Sequence, residues 1–199
     1  MPRDKTESHA RVLEAARQEF LEYGFENASM RRIGEKAGMS AAALYRHCKD
    51  KEDLFEQTVS PAVQKIDDWM KAHISRCTES ENQDLFEDSW IDLMRDVIYP
   101  DMDEYRLLLT KAQGTRYENF LHDFTEQHQR MMMEFLPLIR ERGNDVREIS
   151  ERELHILMSA YSAAMFEPVV HGYSKQEAFR CLETLEAFFL SGWKQLLGF

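Results

Sequence analysis

Four times along this chain a residue with a short oxygen-bearing side chain stands three positions ahead of a glutamate. The pairs are Asp101 and Glu104, Thr115 and Glu118, Ser150 and Glu153, and Ser174 and Glu177. Each pair precedes a segment whose apolar residues recur at helical spacing. In such a capping box the first side chain accepts a free backbone N–H of the first helical turn, and the glutamate accepts the N–H of the cap residue itself. Recurrence on this scale commits the chain to helix. The composition agrees, because 8 Gly and 5 Pro in 199 residues leave few interruptions. No alternating β-branched run of strand length occurs. The expected fold is all-α, with about nine helices.

Apolar periodicity and punctuation give the map. A first helix runs from about Thr6 to Tyr23, with Val12, Leu13, Ala16 and Phe20 on one face and Gly24 as its stop. A short second helix follows Ser29 and ends near Ala37 and Gly38. A third follows Ser40 and ends near Cys48. A fourth starts after Asp50 and continues to about Arg76, bent or restarted at Ser60 and Pro61. Residues 77–83 read as a linker. Helices at about 84–98, 102–112, 116–142, 151–171 and 175–197 complete the chain, with Pro137 expected to kink the longest. The expected division is 1–52 and 53–199.

Several function classes fall away. The 43% hydrophobic and 31% charged content is ordinary for a soluble protein. No apolar run approaches the ~18 residues of a membrane span. Charge from Arg3 to Lys5 replaces the apolar stretch of a signal peptide. Three widely spaced cysteines, Cys48, Cys77 and Cys181, suit neither a disulfide framework nor a zinc site, so a cytoplasmic location is expected. His73, His122 and His128 lack metal-ligand spacing, and no cofactor or metal is expected. Neither a glycine-rich phosphate loop nor the GxSxG or HExxH signature of an enzyme is present.

The net charge of −11 is unevenly spread. Residues 1–51 hold ten Lys or Arg against eight Asp or Glu, whereas the rest hold 15 against 28. Attraction to phosphate requires only a local basic face, so this asymmetry permits nucleic-acid binding through the N-terminal part alone.

Residues 29–48 are the informative stretch. Two short helices separated by Gly38, Met39 and Ser40 have the proportions of a helix-turn-helix. Gly38 suits the positive φ of a sharp turn. Ile33, Ala37, Met39 and Leu44 supply a small apolar core, and Ser40 caps the third helix. Spacing alone leaves two readings open, a DNA-binding helix-turn-helix and a plain helical corner.

Residues 8–56 resemble the N-terminal domain of the TetR family of transcriptional regulators. The pattern is Val12-Leu13-x-Ala15-Ala16-x-x-x-Phe20-x-x-x-Gly24-Phe25, then Ser29-Met30-Arg31-x-Ile33-x-x-x-Ala37-Gly38-Met39-Ser40. It closes with Leu44-Tyr45-x-His47-x-x-x-Lys51-Glu52-x-Leu54-Phe55. The match is gapless and covers about a quarter of the chain. The resemblance implies a three-helix DNA-binding domain ahead of a larger helical domain for ligand binding and dimerisation. It implies phosphate contacts from Tyr45 and Lys51, capping hydroxyls at Ser29 and Ser40, and DNA contact from Arg31 within the motif. Ala41, Ala42, Ala43, Arg46 and His47 fall on or near the groove-facing surface. Two departures stand out. Cys48 replaces the family's usual aromatic, and the alanine run offers no hydrogen-bond donor, limiting readout there to methyl contacts with thymine. Arg3 and Lys5 read as a solvated tail or, alternatively, a minor-groove arm.

The larger domain carries two further expectations. Helices 151–171 and 175–197 have apolar faces wider than one packing partner covers. Leu182, Leu185, Phe188, Phe189, Gly192 and Trp193 are the expected homodimer interface, as the resemblance implies. Aromatic and Met residues at helical spacing suit either a core or an adaptable apolar pocket between helices four, seven and eight. The pocket candidates are Trp69, His73, Trp90, Met94, Tyr105, Phe124, His128, Met131, Tyr161 and Met165. The expected function is a repressor that binds a palindromic double-stranded DNA operator as a dimer and is released by a small, largely apolar effector. The alternative is a helix-turn-helix protein governed by a protein partner or by no ligand.

Overall fold

The computed structural model describes residues 5–79 and 90–198. Its helices are α1 (Lys5–Asn27), α2 (Met30–Lys36), α3 (Ala41–Leu44), α4 (Lys51–Glu79), α5 (Trp90–Leu93), α6 (Met102–Thr110), α7 (Phe120–Glu141), α8 (Glu151–Val170) and α9 (Lys175–Leu197). A π-turn (Met94–Ile98) and a 3₁₀ turn (Tyr99–Asp101) continue α5. No strand occurs among the described residues, as the sequence predicts. Arg3, most of the expected linker and the start of the helix expected at 84–98 lie outside the described residues.

The chain forms two compact units. One runs to Lys65 and takes in Asp101–Glu118; the other comprises Ile66–Pro100 and the chain from Asn119 onward. Residue 52, where the sequence suggests a division, falls inside the first unit. The reason is visible along α4, where Leu54, Phe55, Val59 and Ala62 are all buried.

In the first unit, Val12, Ala16 and Phe20 of α1 are fully buried, as are Ile33 of α2 and Leu44 of α3. Gly24 does not end α1 outright. It adopts φ 75 and ψ 165 within it, breaking the helix by a kink. The Phe25 N–H then donates to the Lys111 carbonyl at 3.0 Å. Beyond the kink, the Phe25 ring lies 6.1 Å from Phe20 and 5.4 Å from Phe55. A β-carbon at such a φ is disfavoured, so glycine makes the break possible.

Proline does not restart α4 at Pro61. Pro61 is exposed, while Val59, Ala62 and Ile66 keep the apolar stripe unbroken on the opposite side. Solvent can therefore meet the carbonyl that Pro61 leaves without an N–H. Tyr105, fully buried, donates its hydroxyl to the Ala62 carbonyl at 2.7 Å.

The four expected capping boxes divide evenly. Ser150 with Glu153 and Ser174 with Glu177 form complete reciprocal boxes at the starts of α8 and α9. Asp101 precedes α6 but makes no side-chain cap, its carboxylate pairing with Lys65 instead. Thr115 starts no helix. Its hydroxyl donates to the Ala112 carbonyl at 2.7 Å and accepts the Tyr117 N–H at 3.0 Å, while Glu118 accepts the Gly114 N–H. These bonds build a turn, and α7 begins only at Phe120. α7 then runs through Pro137 as one helix.

In the second unit Leu93, Met94, Leu154, Met158, Met165, Phe166 and Leu182 are wholly buried. A smaller cluster of Leu136, Ile139, Val146 and Leu197 closes its end. There Gly198 takes φ 79, and the Arg147 N–H bonds the Leu196 carbonyl at 2.9 Å.

Candidate nucleic-acid interface

The segment singled out by the sequence folds as two helices about a tight turn. The Gly38 N–H donates to the Glu35 carbonyl and the Met39 N–H to the Gly34 carbonyl at 2.9 Å, with Gly38 at φ 69. This is the left-handed helix end that glycine serves best. Ser40 then caps α3, its Oγ accepting the Ala43 N–H at 3.3 Å. Ser29 occupies the corresponding position before α2, but its side chain makes no cap. Its N–H goes instead to Glu19 Oε1 at 3.1 Å.

Glu19 is the residue that sequence reasoning missed. It lies on α1 with none of its surface exposed. Its carboxylate accepts the Arg32 Nε–H and pairs with Lys36 Nζ at 3.1 Å. Burial alone would raise its pKa. The bonds from Lys36, the Ser29 N–H and Arg32 outweigh that cost and hold the carboxyl below its ordinary range. Arg32 also donates to the Asn27 carbonyl at 2.7 Å and lies 4.3 Å over the Tyr23 ring. One buried anion thus fixes α2 on α1. Nothing in the local pattern marks Glu19, which reads as one more solvated acid beside Phe20.

The remaining residues of the motif sort by direction. Ile33, Ala37, Leu44 and Cys48 are buried, whereas Arg31, Ser40, Ala42, Tyr45 and Arg46 are exposed and Ala43 and His47 half-buried. Arg31 is 80% exposed and only loosely paired with Glu35 at 3.6 Å. Tyr45 is 52% exposed. The His47 ring stacks on His9 of α1 at 5.7 Å. α3 holds only Ala41–Leu44; residues 45–47 continue as turn. Cys48 is buried where the resemblance leads one to expect an aromatic, its thiol directed at the Leu44 carbonyl at 3.7 Å. Burial, with Asp53 and Asp50 nearby, pushes that thiol up to about 11.

Lys51 has a structural task. Its Nζ donates to the Glu26 carbonyl at 2.9 Å and the Ala28 carbonyl at 3.4 Å, and sits 4.6 Å over the Phe25 ring. Asp50 and Asp53 cap the start of α4 around it. Asp50 accepts the Asp53 N–H, and Asp53 accepts the Lys49 N–H at 2.7 Å.

Most of the expected pocket residues lie in the second unit. Trp90 meets the rings of Phe124, His128 and Tyr161 at 5.7, 5.2 and 5.1 Å. Trp69 stacks on His73 at 5.1 Å along α4. Met94 and Met165 are buried and Met131 half-buried. α5 therefore joins α7 and α8 at this cluster. Tyr105 belongs to the core of the first unit and has no place in it.

The expected interface residues divide as well. Leu182 and Trp193 pack inward, Trp193 lying 5.9 Å from Tyr161. Phe188 is 74% exposed, Gly192 is exposed, and Leu185 and Phe189 are half-buried. On the preceding helix Ile156 is 67% and Leu157 38% exposed. Leu185 also lines an open groove of about 540 Å³ between α8 and α9.

Residues 12–58 match the family described as bacterial regulatory proteins, tetR family. They are a TetR-family helix-turn-helix domain. That family comprises regulatory proteins rather than enzymes. Over 50 residues the chain is 46% identical to the transcriptional repressor AcnR of Corynebacterium glutamicum, covering 25% of this chain and 27% of AcnR. A helix-turn-helix regulator of Staphylococcus aureus strain USA300 is 46% identical over 54 residues, 27% of this chain and 29% of that protein. The chain therefore matches under a third of the length of these relatives, all within the TetR-family domain.

Likeness in fold extends further. The Pseudomonas aeruginosa repressor MexZ superposes with a TM-score of 0.62 at 16% identity over 96% of each chain. NalD of the same organism gives 0.52 at 20% identity, over 92% of this chain and 96% of that one. The TetR-family domain thus precedes a helical body of TetR-like fold. No helix among the described residues is long and apolar enough to cross a membrane.

Proposed function

We propose that this protein is a cytoplasmic transcriptional repressor that binds a palindromic DNA operator as a homodimer and is released by a small, largely apolar molecule. One observation carries the reading. The helix-turn-helix buries Ile33, Ala37, Leu44 and Cys48 while leaving Arg31, Ala42, Tyr45 and Arg46 outward on one short segment. Two outward arginines beside a tyrosine give that face the cations and hydrogen-bond donors that phosphate and base edges call for. The repressor sense is supported by AcnR, which bears that name and is 46% identical across the same domain.

In this reading Tyr45, Lys51, Ser29 and Ser40 face the phosphates, and Arg31 and His47 flank them. Arg46 and the methyl groups of Ala42 and Ala43 face base edges. With so few donors in the recognition helix, sequence preference rests on Arg46 and on DNA shape. Ile156, Leu157, Leu185, Phe188 and Gly192 form a two-fold interface, which spaces two recognition helices about one turn of DNA apart. The Trp90 cluster holds the effector.

Titration of the protein against palindromes from its own upstream region tests this at two salt concentrations. With six to ten phosphates contacted, affinity should fall by about 10³–10⁵ between 50 and 200 mM salt. A flat response overturns the phosphate-anchored reading. Monomeric sedimentation at micromolar concentration overturns the dimer. An apolar compound library that shifts neither melting nor the DNA complex removes the effector and leaves control by a protein partner or by none.

A further inference from the structure

Trp90 opens α5 inside an enclosure of aromatic rings. Its indole meets Tyr161 at 5.1 Å, Phe124 at 5.7 Å and Phe166 at 6.5 Å, each near perpendicular, and the His128 ring at 5.2 Å. Phe124, Tyr161 and Phe166 are buried, yet Trp90 at the centre keeps part of its surface accessible. In a closed core the central ring is the most deeply sealed one. Here the surrounding rings are sealed and the indole is not, so part of its surface is open to a guest.

Two buried polar atoms among the described residues here lack a hydrogen-bond partner. Nδ1 of His128 is shielded from solvent and has no hydrogen-bond partner. Ser162, next to Tyr161 and one turn before Phe166 on α8, is wholly buried with its Oγ likewise without a partner. Buried polar atoms left without a bond are rare, and a bound molecule that completes them is one standard resolution. Burial, and then the nearby His73, hold the His128 ring unprotonated, with its pKa down to about 3. The desolvation that strips a proton from His128 penalises a charge on any guest in the same place. Burial, and then Glu186, keep the Tyr161 hydroxyl protonated, and Glu186 repels an anion.

We infer that the Trp90 enclosure takes a small, flat, uncharged aromatic molecule bearing one O–H or N–H group, its ring against Trp90 and its polar hydrogen donated to His128 Nδ1. This rests on the effector-release reading above and gives the effector a chemical class. A neutral imidazole with its lone pair at Nδ1 accepts such a hydrogen, and the surrounding ring edges and faces complement a flat π-system.

The test is calorimetry on the full chain near neutral pH with four probes of similar size. They are 4-ethylphenol, 4-ethylanisole (which lacks the O–H), the 4-ethylbenzoate anion and the 4-ethylbenzylammonium cation. The phenol should bind at least about tenfold more tightly than the anisole, and both ions more weakly than the phenol. His128→Phe should bring the phenol level with the anisole. His128→Gln, which keeps an acceptor, should retain the preference and guards against simple loss of fold. Equal binding of phenol and anisole, an unchanged preference in His128→Phe, or tighter binding of either ion overturns the inference. If an ion binds and loosens the operator complex, effector release stands and only the assigned chemistry falls. If no probe binds or alters the operator complex, this inference falls, and the effector reading then depends on the wider library.

Discussion

The Glu19 carboxylate, with no surface exposed, receives the guanidinium Nε–H of Arg32 across the crossing of α1 and α2. Glu19→Gln keeps the shape of that contact and removes its charge. Arg32 and Lys36 are 37% and 30% exposed, so solvent relieves them in part and the loss stays below that of a sealed pair. A stability loss of about 1.5–3 kcal/mol is expected, read from the denaturant midpoint. The pH dependence has a definite sign. The folded carboxyl titrates below its ordinary 4.5, so its contribution is complete above that value and is lost as pH falls through the lower folded pKa. Glu19→Gln should accordingly flatten the acid limb of the melting profile.

Lys51 and Tyr45 share a proposed role on the phosphates and differ in their structural one. Lys51→Met removes the bonds to the Glu26 and Ala28 carbonyls, so it should weaken DNA binding and also lower stability by about 0.5–1.5 kcal/mol. Tyr45→Ala removes a side chain that is 52% exposed and should weaken DNA binding with melting nearly unchanged. Parallel binding isotherms and melts on both variants check the contrast. Equal melting losses would show that the Lys51 bonds contribute nothing.

The thiols should differ in reactivity. Cys48 is buried with its pKa raised, whereas Cys181 is exposed. Alkylation of the folded protein at neutral pH should label Cys181 and spare Cys48 until denaturant is added. Peptide mapping by mass spectrometry reads the outcome. Rapid native labelling of Cys48 would contradict its burial beneath the recognition segment.

Gly198→Ala should destabilise the closing cluster around Leu197. The backbone there sits at φ 79, and an added Cβ would come within 2.6 Å of the Asp145 backbone. Asp145 directly precedes buried Val146, so a cost of about 1–3 kcal/mol is expected from thermal melts.

Local chemistry decided what was legible in the sequence. Gly38 and Ser40 announce the turn between α2 and α3 because positive φ and helix capping are set by single residues. Ser150 and Ser174 do the same for α8 and α9. Thr115 has the identical spacing to its glutamate, yet its hydroxyl is spent on Ala112 and Tyr117, a choice fixed by the turn at Gly114. Periodicity marked both sides of Pro61 as helix but not that the proline faces solvent. Glu19 was illegible because its partners Arg32 and Lys36 are remote in sequence and nothing nearby marks its burial. The same limit applied to Tyr105, whose spacing fits a pocket wall as well as the core it occupies. Leu182 and Phe188 stand about 120° apart around α9, at the centre and the edge of a wide apolar stripe, and only packing shows where its cover ends.

The alanine run of the recognition segment has a consequence for how such a protein changes over generations. Ala42 is exposed, while Leu44 and Cys48 hold the segment to the core. An alanine codon lies a single nucleotide from serine, threonine, glycine, valine and an acidic residue. Each such step at Ala42 adds or removes a group on the face proposed to meet DNA while leaving the packing beneath untouched. Target preference can therefore drift one base change at a time without passing through an unfolded ancestor. An alanine run bare of donors is, in that sense, an uncommitted one.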